Sequence, residues 1–137
     1  MNNKQDTPRG FQGYFSPLEA EVETELTHID RGTPCGEYLR RYWQPVAMSA
    51  ELDKLPLAVE ILGEALVLFR DHSGQLGLLH RHCSHRGASL EYGIVASRGI
   101  ICCYHGWHYD IDGTLIRAGS EPADSPVCQR VVHGAYP

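Results

Sequence analysis

Two short stretches place thiol and imidazole side chains close enough along the chain to share a metal. In "HRHCSHRGASL", Cys83 and His85 stand as C-x-H, with Gly87 just after them. In "CCYHGWHYD", Cys102 and Cys103 lie three and two residues ahead of His105, and Gly106 and Trp107 follow. Sixteen residues separate His85 from Cys102. Each stretch falls between segments that read as strands, so each is expected to be a hairpin-like loop. Two such loops facing each other would offer two thiolates and two imidazoles to the space between them.

The order of those ligands discriminates between metals. A structural zinc site of the same donor types runs C-x(2–4)-C and later H-x(3–5)-H, with the thiols as one chelating pair. Here each loop pairs one thiol with one imidazole. That pattern suits a Rieske 2Fe-2S centre, in which one iron takes both cysteines and the other both histidines. Spacing alone leaves the second thiol open: Cys102 gives C-x-x-H, whereas Cys103 would repeat C-x-H. Gly87 and Gly106 would let the backbone pass close to a cluster, with amides reaching its sulfur atoms. Trp107 would shield one side of it from water, and Arg86 would steer a partner or pair with a local carboxylate.

The rest of the chain supplies the scaffold. From Leu57 onward, "LAVEIL", "ALVLFRD", "LGLLHRHC", "RGIICCY", "WHYDI" and "TLIR" read as short strands. Turns are expected at Gly63-Glu64, in "HSGQ" and at Asp112-Gly113. The fold class is all-β, a small antiparallel sandwich or barrel with the two cluster loops inserted. One short helix is expected first: Thr33 is a good N-cap, Pro34 suits the first helical position, and Leu39, Tyr42 and Trp43 recur until Pro45. Residues 1–27 read as a tail or partner-docked arm, and "VCQRVVHGAYP" as a strand with no partner after it. His80 and His82 share a strand face without a third ligand, and His108 is expected to be exposed. His28, His72 and His133 carry no signal. Asp71, Asp110 and Asp112 sit where local backbone capping explains them.

Bulk properties narrow the function. The chain has 137 residues and a net charge of -5, one domain's length and a balance that argues against nucleic acid or anionic membrane as partner. No apolar run is long enough to span a bilayer, and "MNNKQDTPRG" lacks a signal-peptide pattern, so a cytoplasmic chain is expected. Five cysteines form no even framework and read as reduced thiols, with Cys35 and Cys128 expected to be buried.

"CSHRG" and "CCYHGW" resemble the C-x-H-R-G and C-x-x-H-G-W signatures of Rieske non-haem iron oxygenases of the phthalate-dioxygenase type. The resemblance selects Cys102 as the ligand and makes Cys103 a strand residue turned away, a small apolar filler. It extends through "GTPCGEYLRRYWQPVAMSAEL", "WHYDIDGTL" and "SEP", from about Asp30 to Pro137. It implies a Rieske domain over 28–137, shortened at a C-terminal end where the family continues into a closing strand. Respiratory Rieske proteins carry a bracing disulfide at positions that are Ala88 and Tyr104 here, so the oxygenase or ferredoxin branch is implied. The potential expected there is near the low end of the roughly −150 to +300 mV Rieske span.

The resemblance further implies one 2Fe-2S cluster per chain, held by Cys83, His85, Cys102 and His105. It would relay electrons from a reductase to the mononuclear iron domain of the same or a neighbouring subunit, in a homotrimeric aromatic-ring oxygenase. That family's iron pattern, D-x-x-H-x(4–5)-H, does not occur in this sequence. The alternative is a stand-alone Rieske-type ferredoxin, although the helix-bearing "GTPCGEYLRRYWQPV" is unlike simple ferredoxins, which begin directly with strands.

Overall fold

A computed structural model describes residues 23–122 and 124–137, and most of the expected N-terminal arm lies outside them. Two four-stranded antiparallel sheets make up the body. The first is ordered β1-β2-β3-β8, from β1 (Leu57–Ile61), β2 (Glu64–Arg70), β3 (Leu76–His80) and β8 (Ala135–Tyr136). The second is ordered β4-β5-β6-β7, from β4 (Ile94–Val95), β5 (Ile100–Ile101), β6 (His108–Tyr109) and β7 (Leu115–Arg117). Helical pieces are short: α1 (Thr24–Thr27), α2 (Pro34–Leu39), α3 (Val127–Arg130) and a 3-10 turn at Leu90–Tyr92. No helix among the described residues is long and apolar enough to cross a membrane.

The β1–β2 hairpin turns one residue earlier than expected. Ile61 pairs with Glu64, which leaves Leu62 and Gly63 as the loop. Both have positive φ, 51° and 75°, the requirement of a two-residue type I′ connection. Leucine is a rare occupant of that region, so the sequence gives little warning of it. After β2, Asp71 organises the next turn. Its carboxylate accepts from Ser73 N at 2.9 Å, Ser73 Oγ at 2.6 Å and Gln75 N at 3.0 Å, the local capping anticipated for it. It also accepts from Gly99 N at 3.2 Å, ahead of β5, and so joins the two sheets.

Thr33 caps α2 as expected, its Oγ1 accepting from Gly36 N at 3.2 Å. The helix stops at Leu39, short of Tyr42 and Trp43. Arg40 follows as its C-cap and is tied to the hairpin, donating to Glu64 Oε1 at 3.1 Å and to the Leu62 carbonyl at 2.7 Å. Trp43 is 88% exposed, so the apolar stripe does not reach the core.

The C-terminal stretch also differs from expectation. Residues 127–130 are helical, and Ala135 and Tyr136 pair with Leu79 and Leu78, giving β3 its second neighbour. Between them, His133 N donates to the Gly113 carbonyl at 2.8 Å and Gly134 accepts from His80 N at 2.8 Å, so this stretch binds both sheets. The enclosed core contains Val67, Phe69, Leu79, Leu90, Ile100 and Tyr109, all fully buried. Each such side chain contributes about 1.5–3 kcal/mol of transfer free energy. Cys83, Cys102 and Trp107 belong to the same cluster, so the candidate ligands grow out of the core.

Candidate metal centre

The two loops have one backbone design. Cys83 N donates to the Ala88 carbonyl at 2.9 Å, and Gly87 N donates back to the Cys83 carbonyl at 2.9 Å. In the second loop Cys102 N donates to the Trp107 carbonyl at 2.8 Å, and Gly106 N to the Cys102 carbonyl at 3.0 Å. Each loop thus begins at a cysteine and closes on the glycine four residues later. Gly87 and Gly106 have φ of 70° and 68°, a conformation that glycine adopts without steric cost. Their own amides close the loops on the Cys83 and Cys102 carbonyls. Within this shared frame the histidine sits at the third position of one loop (His85) and the fourth of the other (His105).

The frame brings all four sequence-identified side chains together as like pairs. Cys83 and Cys102 are 3% and 2% exposed. Burial pushes the Cys83 thiol above its ordinary range, and Cys102 is near enough to add to the rise, against the pull of the Tyr109 phenol and the His85 amide. The His85 and His105 rings face each other with centroids 4.6 Å apart, crossed at 70°. Burial and the neighbouring His85 and Arg86 lower the His105 pKa, which favours the neutral imidazole that ligates metal. His85 Nδ1 is buried with no hydrogen-bond partner. An unsatisfied buried nitrogen is expensive, and a metal bond would satisfy it.

Among the described residues, no three His, Cys, Asp or Glu side chains are grouped to hold a single ion. Two sulfur and two nitrogen donors divided by type fit a binuclear iron–sulfur group, and the orphaned His85 nitrogen marks where one bond is wanting.

Neighbouring residues close the site on one side and leave it open on the other. The Trp107 indole stacks on His85, centroids 4.8 Å apart and planes 4° apart, and its Nε1 donates to Ser120 Oγ at 3.2 Å. Tyr104 is 62% exposed and lies against the His105 ring at 3.8 Å, so the His105 side faces solvent. Arg86 is exposed, and no described carboxylate lies within salt-bridge distance of it.

Several sequence expectations change here. Cys103 is an exposed turn residue, not a filler, because the chain leaves β5 before reaching it. Cys35 and Cys128 are half-buried. Asp110 is buried and pairs with Arg98, beyond its local capping of Ile111 N at 2.9 Å. His108 is half-buried, and its ring meets the Arg98 carbonyl.

Two polar residues escaped the sequence reading. The Tyr109 phenol is fully buried and 3.1 Å from Cys83 Sγ. Strand alternation placed it on the face of Trp107, and that signal could have found it. His133, 3% exposed, hydrogen bonds with Ser84 Oγ at 2.7 Å. Nothing local marked it, since its partner is far away in sequence.

The family model of the Rieske [2Fe-2S] domain matches residues 42–129. The chain is 57% identical over 118 residues to the tert-butanol monooxygenase / tert-amyl alcohol desaturase oxygenase subunit of Aquincola tertiaricarbonis, covering 86% of this chain and 25% of that protein. It is 40% identical over 122 residues to the phthalate 4,5-dioxygenase oxygenase subunit of Pseudomonas putida, covering 87% and 28%. Among solved structures, an oxygenase–ferredoxin complex of carbazole 1,9a-dioxygenase matches with a TM-score of 0.60 and 32% identity, over 70% of this chain and 25% of that one. The chain thus spans about a quarter of the length of the curated relatives it matches.

Proposed function

The chain belongs to the Rieske [2Fe-2S] domain family, and on that premise we propose that it is the electron-transfer module of an oxygenase, fed by a reductase and delivering to a mononuclear iron site. The family's cofactor is a 2Fe-2S cluster. Cys83 and Cys102 would hold one iron, and His85 and His105 the other. When bound, the cluster supplies a one-electron carrier whose imidazole ligands raise its potential above that of an all-thiolate centre. We assign the module to residues 28–137.

The observation that carries this reading is the pairing of like donors between two loops of equal design. The chain's own residues do the rest. Trp107 and the core exclude water behind His85, and Tyr109 offers the Cys83 sulfur a hydrogen bond. Tyr104 and His105 form the solvent-facing edge proposed to meet the electron donor and the acceptor domain, whether in the same subunit or a neighbour of a trimer. The module does not set the substrate. The relative at 57% identity carries alcohols in its name and the one at 40% carries phthalate, so an aromatic substrate is not implied by this domain.

Absorption and EPR spectra of the reconstituted chain test the proposal. Two irons and two sulfides per chain and a rhombic Rieske signal on reduction are expected. Stoichiometric zinc with no such signal would refute it.

A further inference from the structure

Ser84 lies between the two candidate ligands of the first loop, and its hydroxyl is 2.7 Å from His133 Nδ1. The other ring nitrogen of His133, Nε2, is 2.7 Å from the His80 carbonyl at the end of β3. A carbonyl only accepts, so Nε2 carries a proton. Burial lowers the His133 pKa from its ordinary 6.5, which keeps the ring neutral and leaves Nδ1 as an acceptor. The Ser84 hydroxyl therefore donates to His133. The ring itself lies against the Tyr109 ring, centroids 4.6 Å apart. The Tyr109 phenol in turn reaches Cys83 Sγ at 3.1 Å. His133, anchored on the His80 carbonyl, thus touches both the loop that carries Cys83, at Ser84, and the ring whose phenol reaches the Cys83 sulfur.

We infer that His133 is a positioning residue of the cluster site: by holding the Ser84 hydroxyl it fixes the first ligand loop against Tyr109 and keeps the phenol donating to the Cys83 sulfur. The inference rests on the proposed function, since it takes Cys83 as an iron ligand. A ligating thiolate has no proton, so Tyr109 is the donor in that bond. Donation to sulfur favours the reduced, more negative state. Loosening the loop weakens it and lowers the midpoint potential.

The test measures that potential, with EPR spectra, on the cluster-loaded 137-residue chain. His133→Leu is expected to lower the equilibrium constant for reduction about threefold, roughly 30 mV for one electron. Ser84→Ala should do the same, and the double variant should show no further shift. His133→Asn, whose amide oxygen can replace Nδ1 as acceptor, should recover most of the loss. Wild-type potential in His133→Leu, or additive shifts in the double variant, would overturn the inference. If His133→Leu does not fold, Ser84→Ala removes only a loop hydroxyl and decides alone: an unchanged potential overturns it. Absence of a Rieske signal in the wild type overturns the proposed function itself, whereas a wild-type signal with unmoved variants overturns only the role of His133.

Discussion

Replacing Tyr109 with phenylalanine isolates one oxygen. The ring is fully buried, so phenylalanine fills the same space and the core is preserved. What is lost is the O–H placed 3.1 Å from Cys83 Sγ. A hydrogen bond to a charged acceptor contributes about 1.5–3 kcal/mol, but only the part that differs between redox states moves a potential. Taking about half of a ~2 kcal/mol bond as redox-dependent, the reduced state loses ~1 kcal/mol. At 59 mV per factor of ten for one electron, the midpoint falls by roughly 40 mV. Burial, followed by the hydrogen bond to Cys83, pushes the phenol pKa well above its ordinary 10.0, so the proton is present throughout the working range. The shift should therefore be the same at neutral and at mildly alkaline pH. Protein-film voltammetry of wild type and Tyr109→Phe, with EPR to show an intact cluster, makes the comparison. An unmoved or raised midpoint would refute the reasoning that this phenol stabilises the reduced state.

The choice of thiol can be settled by substitution: Cys102→Ser should abolish the rhombic EPR signal, while Cys103→Ser, at an exposed turn position, should keep it at wild-type intensity. Gly99→Ala should be severe, because its φ is 71° and an added Cβ would overlap the Tyr109 carbonyl. A loss of about 3 kcal/mol or more in urea denaturation is expected there. At Gly74→Ala the φ is 91° but nothing lies within 4 Å, so the loss should be confined to backbone strain of about 1–2 kcal/mol. The buried His133 makes stability depend on acid. Its folded pKa lies below 6.5, so the unfolded chain takes the proton first as pH falls, and stability present above 6.5 declines below it. Urea midpoints from pH 7.5 to 5 should fall less steeply in His133→Asn than in wild type, and equal slopes would contradict this account.

The part of the site that is readable in sequence is the part that is local. Cys83 with His85, and Cys102 with His105, each lie within one turn of chain, so spacing carries their geometry. Gly87 and Gly106 mark the loop closures for the same reason. Tyr109 and His133 depend on contacts across the fold, and an isolated tyrosine or histidine looks the same whether buried or exposed. β1–β3 and β5–β7 show in their apolar runs and turn residues, whereas the two-residue β4 does not, and the first hairpin slips by one because Leu62 accepts a left-handed backbone. Residues 127–130 read as strand in the sequence, and they form a helix in the fold, where tertiary packing decides. At α2 the apolar spacing pointed past Leu39, but the Arg40 contacts with Glu64 and Leu62 take over there.

Two loops that close alike yet set their imidazoles one position apart leave one ring under an indole and the other beside a surface phenol. On the proposed function, a redox partner docking at Tyr104 would meet the ring at 105 first. Partner choice would then be written in the few exposed residues around Tyr104, apart from the buried thiols that begin each loop.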